Sequence, residues 1–272
     1  MAFAIQYQPF SVAHPEWAQI GLVPWDSETF GFMIADLKLL CGDTPPLTPG
    51  ATTELLLQWA EQSKFRLIGL QLPADAIQLI AFFQQTGFAY IDVTLAVDYS
   101  PLKIEKLPRL RTELCLAGPQ NQAEIEALAA QVFQFGRFHA DARFPRDLAD
   151  KRYADWVRRA GEATSTQQIL ISRDTAGLAG FSVIEASPNT AGYFHLLAVA
   201  PRLQSSPFAA ALLASTLRHF HEQGIRAVHS KISASHFRVL NLHAFHGAKF
   251  SSPQVLLHWH PPASAEQGVS RV

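Results

Sequence analysis

The sequence predicts an α/β protein of the mixed α+β sheet type, a smaller αβ domain preceding a larger one. Three observations predict it. Apolar residues make up 48% of the 272 and charged residues 17%, so the chain is globular and long enough to bury a core in two domains. A strand, a helix, a glycine stop and a second strand occur twice, 160 positions apart. The larger domain reads in the order β-α-α-β-β-β-α-β-α-β.

In the first copy of the repeat, residues 65–73 form a strand and 74–85 an amphipathic helix. Gly87-Phe88 stops the helix and 91–97 form a second strand. In the second copy, 225–232 form a strand, 235–245 a helix, Gly247-Ala248 the stop and 255–259 a strand. Arg66 pairs with Arg226, Ala74 with Ala234, Gly87 with Gly247 and Pro101 with Pro261, without a gap. A polar, proline-marked joint over 100–111 reads as a linker. The expected domains are 1–104 and 113–261, with 105–112 between them and a small polar tail at 262–272.

Within the larger domain, 113–117 form a strand. Residues 122–133 form a helix with Ile125, Leu128, Ala129 and Val132 on one face. Residues 138–145 are a loop and 146–160 a helix. Strands at 167–172, 178–185 and 192–199 follow, the first two joined by the hairpin turn Asp174-Thr-Ala-Gly177. A helix over 208–223 ends at Gly224.

Composition excludes several functions. A formal net charge of −1 gives no footprint for nucleic acid or an anionic membrane. Cys41 and Cys115 have neither metal-ligand nor disulfide spacing, which points to a reducing, cytoplasmic compartment. The chain start has no signal-peptide pattern, and no apolar stretch reaches transmembrane length. The eleven histidines include His219-x-His221, His243-x-x-His246 and His258-Trp-His260, but without Cys, Asp or Glu at ligand spacing no metal is expected. Asp26-Ser27 with Glu28 reads as a structural turn or cap.

The stretch Val199-Ala-Pro-Arg-Leu-Gln-Ser-Ser-Pro-Phe-Ala-Ala-Ala-Leu-Leu lies between the fourth strand and third helix of the larger domain. It resembles the coenzyme A loop of the GCN5-related N-acetyltransferases (GNAT): Val-x-Pro, then Gln/Arg-x-x-Gly-x-Gly/Ala, then a helix opening with Leu-Leu. Ser205, Pro207 and Ala209 stand where that family has glycine. Its loop aims backbone N–H groups at a pyrophosphate, and proline removes one such donor. Val23-Pro-Trp-Asp-Ser-Glu-Thr-Phe-Gly-Phe and Arg137-Phe-His-Ala-Asp-Ala-Arg-Phe-Pro, with Tyr153-x-x-Trp156, resemble the TDP-fucosamine acetyltransferase-like branch.

The resemblance implies a GNAT core preceded by a partial GNAT repeat. It also implies an N-acyltransferase using acetyl-CoA or another acyl-CoA, weakly bound because of the loop. The acceptor is the amine of a small molecule, with a nucleotide-linked amino-deoxysugar as one candidate. Donor contacts fall on Leu197, Val199, Gln204, Ser205, Ser206, Phe208, Ala209 and His236. Acceptor contacts fall on His139, Asp141 and Arg143. The family's acid, a tyrosine, and its asparagine are replaced by His243 and His236. An imidazolium at His243 can protonate a thiolate, but Phe83 at the matching place in the first copy favours simple packing. His139 and Asp141 equally suit local loop hydrogen bonds. The alternative to an enzyme is a GNAT-fold binding or regulatory module that has lost transfer. Oligomeric state is open, a homodimer being one option.

Overall fold

The computed structural model describes residues 5–40, 44–162, 165–187, 191–204 and 206–262. The contacts of the described residues divide into two compact units, one of residues 5–93 with 253–262 and the other within 94–252. The first unit holds β1 (Tyr7–Pro9), β2 (Ala18–Leu22), α1 (Pro24–Phe30), β3 (Met33–Leu39), α2 (Pro49–Ser63), β4 (Phe65–Pro73) and α3 (Ile77–Gln85). The chain passes to the second unit within β5 (Ala89–Asp98). That unit holds β6 (Cys115–Leu116), α4 (Gln122–Val132), α5 (Arg137–Ala140), α6 (Arg146–Ala160), β7 (Gln167–Asp174), β8 (Gly177–Ala186) and β9 (Gly192–Val199). It continues with α7 (Phe208–Glu222), β10 (Val228–Ser233) and α8 (Phe237–Phe245), and β11 (Lys249–Trp259) carries the chain back to the first unit.

In the first unit the strand order is β1-β2-β3-β4-β11. Only β3 and β4 run parallel there, and α2 connects them. In the second it is β5-β10-β9-β8-β7-β6, with β9 and β10 parallel across α7. The strands of each unit are therefore of mixed direction, the fold class expected from sequence.

The 160-residue repeat is visible in the backbone. The helices α3 and α8 begin at Ile77 and Phe237, and Gly87 and Gly247 sit at φ +94° and +82°. That left-handed turn is open to glycine without a Cβ penalty. The N–H of Phe88 donates to the Phe83 carbonyl, and the N–H of Ala248 donates to the His243 carbonyl. The units nevertheless change over inside strands and not at residues 105–112. Residues Thr94–Asp98 pair with Ser233–His229 of β10, while Gln254–Trp259 pair with Pro73–Ile68 of β4. Each unit is thus completed by the last strand of the other copy of the repeat. The joint is held down too: the Thr112 N–H donates to Ser215 Oγ at 2.9 Å, and Arg218 on α7 donates to the Leu110 and Pro108 carbonyls. Most of the expected tail lies outside the described residues.

One core fills the first unit, around Trp17, Ile20, Leu37, Leu70 and Phe83. The second unit has a core on each face of its sheet. Leu213, Leu217 and Phe220 of α7 cover one face; Ile125 and Ala129 of α4 with Val157 of α6 cover the other. Strand β8 is buried almost end to end because both faces are covered. The loop expected at 138–145 begins with the short helix α5 instead.

Candidate functional site

The site is built on a break in β9. Val183 of β8 pairs with Leu196 and Ile184 pairs with Phe194, so His195 is an extra residue in β9, a β-bulge. The bulge reverses which side chains face which way. Phe194 packs with the α7 core, whereas Leu196 packs with the α4/α6 core. In an unbroken strand those two residues would share a face. Just before the bulge, β9 and β10 hold register only at Gly192↔Val228 and Tyr193↔His229. The Ser230 hydroxyl donates to the Phe194 carbonyl at 2.7 Å and closes the start of the gap. From there β9 continues toward α7 paired with β8 alone among the described strands.

His195 faces α6. Its Nε2 lies 3.1 Å from Glu185 Oε2, and its ring centroid is 6.1 Å from Trp156 and 6.4 Å from Tyr193. Thr166 Oγ1 donates to the other Glu185 oxygen at 2.6 Å, and Trp156 Nε1–H donates to Gln167 Oε1 at 3.0 Å. Burial pushes the His195 ring below the ordinary histidine value, and Glu185 opposes that shift without cancelling it. Sequence reading missed His195: nothing in Tyr193-Phe194-His195-Leu196 marks the extra residue. A bulge is set by cross-strand register, which a single strand's pattern does not carry.

The loop before α7 is tied to itself. The Ser206 N–H donates to the Leu203 carbonyl at 3.0 Å, and the Phe208 N–H donates to Ser206 Oγ at 3.2 Å. Ser206 thereby occupies the first N–H of α7, whose N-cap position is Pro207. The Gln204 side chain reaches the Val199 carbonyl at 3.5 Å. Val199 and Leu197 are in register with Gly180 and Ser182 of β8, and Ala209 lies in the first turn of α7. Ser205 lies outside the described residues.

His243 is in the core of the second unit, 2% exposed. Its Nδ1 shares a hydrogen bond of 2.8 Å with the Tyr99 hydroxyl, and its ring meets Phe194 edge-on at 6.0 Å. Burial, with the neighbouring His246, pushes it down to about 3, so the ring is neutral at pH 7. This placement favours packing over the acid role. His236 stacks on Phe135 at 4.7 Å, and burial with Arg238 pushes it below the ordinary value.

The residues expected near the acceptor are engaged with α6 and with one another. His139 Nε2 is 2.9 Å from Asp150 Oδ1, and its ring lies against Tyr153. Asp141 is buried and accepts from the Arg143 N–H at 3.0 Å and from Arg143 Nε at 3.4 Å. The structure thus gathers Leu197, Val199, Gln204, Ser206, Phe208 and Ala209 around the end of β9. It gives His139, Asp141, Arg143 and His243 partners within the fold.

The first unit has an opening of its own. Its parallel pair ends at Leu37↔Leu70, and a cavity of about 570 Å³ follows, lined by Tyr7, Asp36, Lys38, Gln71, Leu79 and Gln254 among others. The Tyr7 hydroxyl donates to Asp36 at 2.7 Å. Among the described residues no helix is long and apolar enough to cross a membrane.

No protein-family model and no curated protein matches this chain. Solved structures do. A conserved protein of unknown function from Staphylococcus epidermidis superposes with a TM-score of 0.63 at 12% identity, over 90% of this chain and 91% of that one. A GCN5-related N-acetyltransferase from Sphaerobacter thermophilus gives 0.60 at 12% identity, over 89% and 76%. A tandem GNAT protein from the clavulanic acid biosynthesis pathway gives 0.57 at 14% identity, over 94% and 80%. Identities this low establish the fold, and that fold is GNAT, consistent with two related halves.

Proposed function

We propose that this chain is an acyl-CoA-dependent N-acyltransferase acting on small molecules, with its reaction centre where β9 leaves β10. The observation that carries this reading is the bulge at His195, followed by the parting of two parallel strands beside the first turn of α7. A strand edge without a partner offers fixed peptide N–H groups, the preorganised donors that stabilise a developing oxyanion. Bound acyl-CoA supplies the activated thioester. Residues 194–199 offer amides toward its carbonyl, and Gln204, Ser206 and the first turn of α7 stand nearest its phosphates.

The residues fit this donor unevenly. The open edge suits it. The loop suits it less, because the Ser206 and Phe208 N–H groups are engaged within the chain and Pro207 has none. Losing one or two charge-assisted hydrogen bonds of about 1.5–3 kcal/mol each weakens binding roughly ten- to ten-thousand-fold. The same observation favours the second reading, a binding module without transfer.

The acceptor in this reading is a small amine. Trp156, Tyr193 and His195 offer ring faces that suit a sugar or other flat-sided acceptor. Nucleotide-linked amino-deoxysugars belong in the first panel tested because of the resemblance in 23–32 and 137–145. The cytoplasm is the compartment that fits the two cysteines and the acyl-CoA donor.

The deciding experiment is a calorimetric titration with acetyl-CoA, paired with thiol release from acetyl-CoA across a panel of amines. Weak but saturable binding with amine-dependent release is expected. Binding without release across the panel favours the module, and no binding overturns the enzyme reading and leaves the module.

A further inference from the structure

We infer that His195, held by Glu185 at the bulge of β9, is the group that takes the proton from the acceptor amine. This rests on the acyl-transfer reading above. The bulge sets His195 at the point where β9 and β10 part, on the α6 face of the sheet. The carboxylate of Glu185 can only accept, so the ring hydrogen sits on Nε2 and Nδ1 is left as the acceptor. Thr166 fixes the far oxygen of that carboxylate, and Trp156 and Tyr193 hold the ring, which is 22% exposed. An imidazole fixed in one tautomer, neutral at pH 7 and still reached by solvent, has what a general base needs.

The other candidates lack one of these properties. His243 is buried and bonded to Tyr99. His139 also has a carboxylate partner in Asp150, but its side chain is 6% exposed and its Nδ1 is buried away from solvent. His229 stands beyond Tyr193, with its Nδ1 3.4 Å from Asp98.

The ammonium form of the acceptor gives one proton to His195 Nδ1, and the freed amine attacks the thioester carbonyl carbon. A C–N bond forms and the C–S bond breaks. The nitrogen's second proton goes to the departing sulfur, and His195 later returns its proton to solvent. Glu185 is a positioning residue: it fixes the tautomer and holds the ring basic against the burial that lowers it. The charged and titratable groups around the ring are Glu185 on β8, Tyr193 on its own strand, and the His229–Asp98 pair beyond Tyr193. Arg152 on α6 adds a guanidinium 5.2 Å from the Trp156 ring centre.

The test combines ring NMR on the histidine-labelled full-length chain with kinetics. In wild type at pH 7, His195 is expected neutral with its hydrogen on Nε2, and Glu185→Gln is expected to lower its titration point. Activity toward the amine should rise with pH through that point, and Glu185→Gln should move the acid limb to lower pH. His195→Gln should keep the wild-type melting temperature and acetyl-CoA affinity while lowering kcat/KM for the amine by about 10²-fold or more. A charged ring, a hydrogen on Nδ1, or turnover retained in His195→Gln overturns the role of His195 alone. No amine-dependent turnover in wild type overturns the acyl-transfer reading and this role with it.

Discussion

The two units open the same parallel strand pair to different degrees. In the first, β3 and β4 hold register at Met33↔Phe65 and from Ile34↔Leu67 through Leu37↔Leu70, and β2 pairs with β3 without a break. In the second, β9 and β10 hold register at two positions only, and the strand before the gap is broken at His195. The difference teaches that one topology carries two registers: the first unit's parallel pair shifts at Met33/Ile34 and then continues, whereas the second unit's pair ends where β9 carries the extra residue His195. Matching helices tell a similar story. Phe83 on α3 stacks on Trp17 at 6.3 Å, while His243 on α8 fills the same place with a ring bonded to Tyr99. A hydrocarbon does that job in one unit, so the histidine in the other is part of the core.

The largest effect that would break this comparison lies in the pH dependence of stability. Folded His243 has a value of about 3 against an unfolded value near 6.5. Its depressed value means stability is whole above pH 6.5 and is lost as pH falls toward 3, by roughly 1.4 kcal/mol per pH unit. Denaturant unfolding from pH 7 to 4 should show this slope in wild type and its loss in His243→Phe. At pH 7 that variant should cost about 1–3 kcal/mol, because the Tyr99 hydroxyl loses its ring partner, and turnover should be unchanged. A large loss of turnover would restore His243 as a catalytic acid.

A second variant sharpens the contrast between strands. A Cβ at Gly180 would stand 2.6 Å from the Ala198 carbonyl oxygen and about 3 Å from Leu212 and Phe208. Gly180→Val should therefore cost about 1–3 kcal/mol and weaken donor binding, since it lifts β9 and α7 off β8. Pro207→Gly supplies the missing amide and should tighten acetyl-CoA by about ten- to a hundredfold, one charge-assisted bond's worth. The smallest effect is expected in the first unit. Lys38→Glu, at the mouth of its cavity, should leave acetyl-CoA affinity unchanged by calorimetry.

What could be read in advance follows from where the information sits. The helix expected at 146–160 and the strand expected at 192–199 match α6 and β9, because periodicity and glycine stops are local signals. Residues 5–63 carried elements that sequence left unassigned. Among them, α1 is seven residues long and is followed by the Ile34 N–H donating to Ser27 Oγ at 2.9 Å, a contact no periodicity announces. The loop before α7 was legible from its place between strand and helix. Its internal hydrogen bonds were not, since they depend on which acceptor each N–H finds. His195 escaped because register made it special, while His139 and Asp141 stood out by motif and are engaged by Asp150 on α6 and by Arg143.

The most direct test of the account is amide chemical-shift mapping of the deuterated chain during an acetyl-CoA titration. The account predicts shifts at Phe194 to Val199 and from Ser206 through the first turn of α7, with Lys38 to Leu40 and Gln71 to Leu72 unmoved. Shifts confined to the cavity of the first unit, or none at saturating donor, would contradict it.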